Sequence, residues 1–150
     1  MAASWLFEKE NTALIFNADS LLKPNLQIFI SKHKELVKKY GIEATLALMA
    51  HPDAGKKYNA FALNGDLIQV HVKADRKNSG AFFHFPGLYL VEKKLMSRLP
   101  PAGVVSDIVE LAWKPAIAEK KLGAWIYAGF YQDLGTPADL AKAEKNLSIY

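Results

Sequence analysis

Short apolar runs with strand character alternate along this chain with longer segments of helical periodicity. Thr12–Phe16 (TALIF) is apolar and contains β-branched residues, which is typical of a buried strand. Residues 24–40 then repeat apolar side chains at helical spacing and are followed by Gly41, as in a capped amphipathic helix. Residues 43–50 form a second strand-like run. Because alternating sheets and helices cover one another's apolar faces, the sequence predicts an α/β layered fold.

The remaining runs predict a mixed sheet. Asn64-Gly65 separates the strand-like runs 59–63 and 67–73, and an Asn-Gly pair in that position is a strong hairpin signal. Residues 81–91 are aromatic and apolar and predict one further strand, and residues 124–128 predict the last one. A hairpin joins antiparallel strands, whereas helical connections favour parallel ones. We therefore expect a mixed, mostly parallel sheet.

Composition bounds the class of protein. The chain has 150 residues, of which 51% are hydrophobic, so residues 1–150 are expected to form a single domain with a true core. The net charge of +4 comes without a block of like charges, which suits anionic ligands without requiring nucleic acid. The absence of cysteine excludes disulfides, thiolate metal sites and a cysteine nucleophile.

No segment indicates export or a membrane. The first ten residues lack the basic start and long apolar core of a signal peptide. The longest apolar stretch, residues 81–91, is too short to span a bilayer and is interrupted by His84 and Pro86. The expectation is a soluble, cytoplasmic protein.

Two other groups of side chains are predicted to be structural or solvated. The histidines show no close metal-ligand spacing, and they are His33, His51, His71 and His84. A lysine cluster on the first helix is expected to form a solvated helix face rather than a nucleic-acid site, and it consists of Lys32, Lys34, Lys38 and Lys39.

Two aspartates are candidates for chemistry. Asp19 follows the first strand, and Asp133 precedes the turn and capped helix that begin at Gly135-Thr136-Pro137. Taken singly, Asp19 is a turn former and Asp133 belongs to a helix-entry loop. Taken together, two carboxylates at separate strand ends could share a Mg²⁺ that leaves positions for water and substrate phosphates.

Three segments, in order, resemble the sugar-1-phosphate nucleotidyltransferases. They are Phe-Asn-Ala-Asp at 16–19, Phe-Pro-Gly-Leu-Tyr at 85–89 and Asp-Leu-Gly-Thr-Pro at 133–137, and they span nearly the whole chain. The third segment is the most specific. The resemblance implies a partial Rossmann-like nucleotide-diphospho-sugar transferase fold. It also implies transfer of a nucleoside monophosphate from a triphosphate to a sugar 1-phosphate, of the N-acetylmuramate 1-phosphate or mannose 1-phosphate type.

The same resemblance implies the residues of a site. Asp19 and Asp133 would bind Mg²⁺, and Asn17 would bind the substrate. Gly87 would let the backbone approach the sugar closely. Lys73, at the end of the second arm of the hairpin, is the expected phosphate contact, although the acidic-basic pair common there in the family is absent.

The chain departs from the family in one respect. The family opens with a strand and a glycine-rich loop that cradles the triphosphate, and no such segment occurs within these 150 residues. Three interpretations stay open: the second piece of a split or truncated enzyme, a non-catalytic module that binds a sugar phosphate or nucleotide sugar, or an inert remnant that self-associates. Thr12–Phe16 would then form an unpaired edge, so we expect an N-terminal partner chain or a homo-oligomer.

Overall fold

The computed structural model describes residues 7–101 and 103–147. Within that part of the chain no helix is long and apolar enough to cross a membrane. The strands are β1 (Thr12–Phe16), β2 (Ser20–Leu22), β3 (Ala44–Ala50), β4 (Ala60–Asn64), β5 (Leu67–Val72), β6 (Phe83–His84), β7 (Leu88–Glu92), β8 (Leu122–Ile126) and β9 (Tyr131–Asp133). The helices are α1 (Leu26–Tyr40), α2 (Lys93–Met96), α3 (Lys114–Ala118), which a π-helical segment (Val109–Trp113) precedes, and α4 (Pro137–Leu147).

The first helix is bounded by side-chain and glycine caps. Asn25 Oδ1 accepts a hydrogen bond from the backbone N–H of Ile28 at 3.2 Å, which satisfies a donor that the helix itself leaves unpaired. Gly41 adopts a left-handed conformation with φ of 61°, and its N–H donates to the carbonyl of Val37 at 2.8 Å. The helix predicted for residues 24–40 is confirmed, with its start at Leu26.

Seven strands form one sheet in the order β1-β7-β3-β6-β4-β5-β8. Strand β3 also pairs with β8, so that β3, β6, β4, β5 and β8 close a ring. Strands β2 and β9 pair separately as a two-stranded ribbon. The α/β class with a mixed sheet is therefore confirmed.

The direction of most strands differs from the prediction. Six of the seven pairings in the large sheet are antiparallel, and only β3–β8 is parallel. The expectation of a mostly parallel sheet is wrong in this respect. Strands β3 to β7 follow one another without an intervening helix, and a parallel pairing of neighbours needs a crossover that such connections do not provide.

The aromatic run 81–91 is two strands rather than one. Strand β6 ends at His84 and β7 begins at Leu88. Between them, Pro86 has no N–H to donate to a ladder, and Gly87 has φ of 95°, which an extended strand does not allow. Strand β6 pairs with β3 and β4, whereas β7 pairs with β1 and β3.

Apolar side chains fill both faces of the sheet. On one face, Trp113 of the π-helical segment and Leu95 of α2 pack with the buried residues of β3 and β8. On the other face, Phe29 of α1 stacks on Trp125 with ring centroids 4.9 Å apart. His33, also from α1, is buried and bonds Thr45 at 2.8 Å and Glu92 at 2.9 Å. Helix α1 is thereby fixed to β3 and β7.

Among residues 7–101 and 103–147, strand β1 lies at one edge of the large sheet. It is hydrogen-bonded to β7 on one side, with Leu14 opposite Leu90 and Phe16 opposite Leu88. Leu88 and Leu90 are buried in the cluster that α1 covers, whereas Leu14 is 41% and Phe16 44% exposed. The apolar face of the sheet thus extends beyond the part that α1 covers and includes the side chains of Leu14 and Phe16.

Candidate functional site

The structure brings the two candidate aspartate segments into contact. In the β2–β9 ribbon Ser20 lies opposite Asp133, and the N–H of Leu134 donates to the carbonyl of Asp19 at 2.8 Å. The sequence predicted 124–128 as the last strand, but β9 is a further one and carries Asp133 at its end. A three-residue strand has too few residues to show alternation.

Hydrogen bonds hold the Asp133 carboxylate at both oxygens. Its Oδ1 accepts from the N–H of Gly135 at 2.9 Å, and its Oδ2 accepts from the hydroxyl of Tyr58 at 3.2 Å. Asp133 is half-buried, whereas Asp19 is exposed. The contact of Asp19 Oδ1 with Ser20 Oγ, at 3.5 Å, is longer than an ordinary O–H···O bond. The site therefore contains one oriented and one adaptable carboxylate.

The donor set is suited to a hard cation. Within residues 7–101 and 103–147 no group of three or more histidine, cysteine or acidic side chains could hold a metal ion. Mg²⁺ commonly uses one or two protein carboxylates and completes its shell with water and substrate phosphates. Asp19 and Asp133 supply two such carboxylates. Two carboxylates are too few for a site in which the protein provides every metal ligand.

The second and first resemblance segments also touch. The N–H of Asn17 donates to the carbonyl of Gly87 at 2.8 Å. A Cβ built on Gly87 would lie 2.6 Å from Asn17 Cβ. The close approach seen at Gly87 is thus an approach to Asn17. A sugar contact at either residue stays a prediction.

Lys73 lies apart from this contact network. It follows β5, is exposed, and its carbonyl accepts from Asn78 Nδ2 at 2.8 Å. Among the described residues no hydrogen bond or ion pair joins its ammonium group to Asp19 or Asp133. Its role as a phosphate contact stays a prediction.

A cluster of four rings beside Asp133 was missed in the sequence. Tyr58 and His84 have ring centroids 4.7 Å apart, His51 and His84 5.3 Å, and His84 and Tyr131 5.2 Å. These residues come from the ends of separate strands and from the loop 51–59. An isolated histidine or tyrosine in such a loop carries no local signal. The four rings come together only in the folded chain.

Burial and neighbouring charges shift the pKa values of two members of the ring cluster, His84 and Tyr131. Burial, reinforced by the charge of His51, lowers the pKa of His84 to about 4 against a weaker effect of Asp133. Burial first, and then the negative charges of Asp133 and Asp19, raise the pKa of Tyr131. At neutral pH the Tyr131 hydroxyl is therefore protonated and can donate to neutral His84 Nε2, 3.0 Å away. Both aspartates act on that hydroxyl.

The chain has the fold of the sugar-1-phosphate nucleotidyltransferases. A protein named as a glucose-1-phosphate thymidylyltransferase from Bacillus anthracis, solved in complex with a sucrose, superimposes with a TM-score of 0.71 at 14% identity, over 93% of this chain and 56% of that one. HddC from Yersinia pseudotuberculosis superimposes with a TM-score of 0.69 at 16% identity, over 96% of this chain and 59% of that one. HddC complexed with GMP-PN gives a TM-score of 0.67 at the same identity and coverage.

These likenesses establish the fold alone. No protein-family model matches the chain, and no curated protein matches it. The chain spans 56 to 59% of the length of the solved structures. The resemblance of fold seen in the sequence is thereby confirmed, whereas activity and substrate belong to the proposal that follows.

Proposed function

We propose that this chain is the sugar-phosphate side of a nucleotidyltransferase that transfers a nucleoside monophosphate from a triphosphate to a sugar 1-phosphate. In that reaction a phosphate oxygen of the sugar 1-phosphate bonds to the α-phosphorus, the bond from that phosphorus to the α–β bridging oxygen breaks, and pyrophosphate leaves. The observation that carries the proposal is the contact between the Asp19 and Asp133 segments, with the Asp133 carboxylate oriented at both oxygens.

Asp19 and Asp133 would hold a Mg²⁺ in this proposal. When bound, that ion neutralises charge on the reacting phosphates and helps to align them. Gly135 and Tyr58 keep the Asp133 carboxylate in one orientation, which avoids reorganisation when substrate binds. Asp19 is exposed, so it can adjust as the phosphates enter. The residues thus act mainly by positioning and electrostatics.

The acceptor would lie beside the Asn17–Gly87 contact. Asn17 is exposed and lies two residues before Asp19 in sequence, so its amide can contact a hydroxyl of the sugar. Mannose 1-phosphate and N-acetylmuramate 1-phosphate are the acceptor types to test first. Lys73 would contact the acceptor phosphate from the end of β5.

A second candidate function is binding of a sugar phosphate or nucleotide sugar without turnover. It is favoured because these 150 residues contain no glycine-rich loop and span 56 to 59% of the neighbours' length. Two carboxylates cannot replace a phosphate cradle. We therefore expect negligible pyrophosphate release by this chain alone, and release only when a segment with such a loop is supplied.

The test is metal-dependent binding of mannose 1-phosphate or N-acetylmuramate 1-phosphate, measured by calorimetry. The expected result is binding that needs Mg²⁺ and is lost in Asp133→Asn and in Asp19→Asn. Asp107→Asn is the matched control, because Asp107 is an exposed cap of the π-helical segment and asparagine caps equally well. Binding that is unchanged in both aspartate variants would exclude the metal-dependent site. Robust pyrophosphate release by the chain alone would show that its nucleotide site is complete.

A further inference from the structure

Tyr58 reaches Asp133 across 75 residues of sequence. Its hydroxyl donates to Asp133 Oδ2 at 3.2 Å. Protein carboxylates that bind metals are commonly oriented by a hydrogen bond from a neighbouring group, and loss of that group weakens the metal. Gly135 supplies such a bond to Oδ1 through its backbone, and Tyr58 is the side chain that supplies it to Oδ2.

The position of Tyr58 is set by its own loop. Its carbonyl accepts from the N–H of Gly55 at 2.8 Å. The carbonyl of Gly55 in turn accepts from the N–H of Asp75 at 2.9 Å and from Asn78 Nδ2 at 2.8 Å. The ring of Tyr58 contacts His84 and His51. Two loops and two rings therefore fix the hydroxyl that faces Asp133.

Lys57 is linked to the same carboxylate through the Tyr58 hydroxyl. Its Nζ donates to the Tyr58 hydroxyl at 3.0 Å and lies 4.8 Å from the centroid of that ring. Lys57 also lines a cavity of about 450 Å³, together with Asp53, Lys56 and Arg76. Three cations against one carboxylate make this cavity attractive to an anion.

We propose that Lys57 and Tyr58 form the phosphate side of the Asp133 site. Tyr58 is a positioning residue that orients the Asp133 carboxylate toward the metal, and Lys57 binds a phosphate oxygen of the sugar phosphate that shares the metal. Lysine binds phosphate as a compact charge, and its anchoring on Tyr58 places that charge beside the carboxylate. The inference rests on the proposed function and adds to Lys73 a second phosphate contact, one that is linked to Asp133 through the Tyr58 hydroxyl.

The chain carries a matched control for both residues. Lys39-Tyr40 is the same dipeptide at the end of α1, and Lys39 Nζ lies 4.7 Å from the centroid of the Tyr40 ring. Within the described residues the Tyr40 hydroxyl has no hydrogen bond to a carboxylate. Changes at Lys39 and Tyr40 therefore alter the same side chains and charge without touching Asp133.

The experiment measures Mn²⁺ binding to the full chain by electron paramagnetic resonance, with Mn²⁺ as the probe for Mg²⁺, in the presence and absence of mannose 1-phosphate. We expect Tyr58→Phe, which keeps the ring packed on the histidines, to weaken Mn²⁺ by roughly 10- to 100-fold. We expect Lys57→Gln to remove the gain that mannose 1-phosphate gives to Mn²⁺ affinity, measured against the affinity of the same variant for Mn²⁺ alone. Lys39→Gln and Tyr40→Phe should change neither.

The outcomes separate this inference from the proposal on which it rests. If the unmodified chain binds no Mn²⁺, or if Asp133→Asn does not reduce that binding, the proposed metal site is wrong. The proposed roles of Lys57 and Tyr58 are then wrong as well. If Mn²⁺ binding depends on Asp133 but Tyr58→Phe binds as the unmodified chain does, only the positioning role is wrong. A full gain from mannose 1-phosphate in Lys57→Gln would overturn the phosphate contact alone.

Discussion

The side chain of Asn17 lies so close to Gly87 that a β-carbon at position 87 would stand 2.6 Å from Asn17 Cβ. Gly87 also has φ of 95°, a backbone conformation that side chains disfavour. These two features tie the turn between β6 and β7 to the segment that leads to Asp19. They also make Gly87 a position where even one methyl group is costly.

We expect Gly87→Ala to destabilise the fold through backbone strain and steric conflict together. Gly65→Ala is the control, because Gly65 has φ of 60° but no atom within 4 Å of the added Cβ. Backbone strain at Gly65 should cost about 1–2 kcal/mol, and overpacking against Asn17 should add about 1–3 kcal/mol at Gly87. Urea unfolding measures both. Equal losses in the two variants would mean that Asn17 moves aside freely.

A buried carboxylate supports the start of β3. Glu43 is 1% exposed, and its Oε2 accepts from Arg98 Nε at 2.7 Å. Arg98 also donates to both carboxylate oxygens of Glu119. Removing the guanidinium would leave the buried carboxylate with only the exposed Lys94, whose Nζ lies 3.4 Å from Oε1, and breaking a buried ion pair typically costs about 3–5 kcal/mol. We therefore expect Arg98→Met to be among the most destabilising single changes, as measured by urea unfolding at pH 7.

The double variant tests the cause of that loss. Glu43→Gln with Arg98→Met removes both charges, so it should be more stable than Arg98→Met alone. Burial raises the pKa of Glu43, but hydrogen bonds and charge from Arg98 and Lys94 outweigh it and leave the pKa lowered. The stabilisation is therefore present above the ordinary carboxyl pKa and is lost as the pH falls through the lowered value. A double variant no more stable than Arg98→Met would argue against a charge effect.

The pKa of His84, lowered to about 4 from an ordinary 6.5, predicts a pH dependence of stability. Above pH 6.5 the imidazole is neutral in both the folded and the unfolded chain. As the pH falls toward 4, the unfolded chain binds a proton that the folded chain does not, so stability is lost. By pH 5 the loss should be about 2 kcal/mol. Urea unfolding at pH 7 and pH 5 measures it.

His84→Gln provides the comparison for that prediction. It cannot titrate, so its stability should fall less than that of the unmodified chain between pH 7 and pH 5. Proton NMR of the folded chain should show a His84 imidazole signal that titrates near pH 4. A midpoint near 6.5 would show that the ring is better hydrated than its burial indicates.

The parts of the fold that the sequence predicted correctly carry their own local signals. Helix α1 ends at Gly41 because that residue adopts φ of 61°, and the β4–β5 hairpin follows from Asn64-Gly65. Strand β1 was predicted at its observed bounds because TALIF is apolar between polar segments. In each case the determining interactions lie within a few residues of the element.

The parts that were missed depend on distant residues. The pairing of β7 between β1 and β3 leaves no mark on local apolarity, so the antiparallel majority was not foreseen. Asp19 and Asp133 were predicted as metal ligands from their positions after a strand and before a capped helix, and from the family resemblance. Tyr58 was not predicted, because it lies 75 residues from Asp133 in sequence and comes within 3.2 Å of it only in the folded chain. Site residues that act through another residue are therefore the hardest to find in sequence.

The exposed edge strand predicts association. Strand β1 ends the sheet order, and Leu14 and Phe16 extend the face that α1 covers while remaining 41% and 44% exposed. Backbone groups that pair with no other described strand, beside apolar side chains, favour pairing with a strand of another chain. We expect this chain to form a dimer or larger species through β1, or to bind an N-terminal partner chain that adds a strand there.

Sedimentation velocity over a wide range of concentrations tests this expectation. The unmodified chain should shift toward larger species as its concentration rises. Leu14→Lys combined with Phe16→Lys should sediment as a monomer, because lysines on an edge strand oppose pairing. Val70→Lys is the control, since Val70 is 46% exposed but lies on β5, and it should associate as the unmodified chain does. A heat-stable monomer at every concentration would contradict this expectation. It would show that the exposed face of β1 is tolerated in water without a strand from another chain.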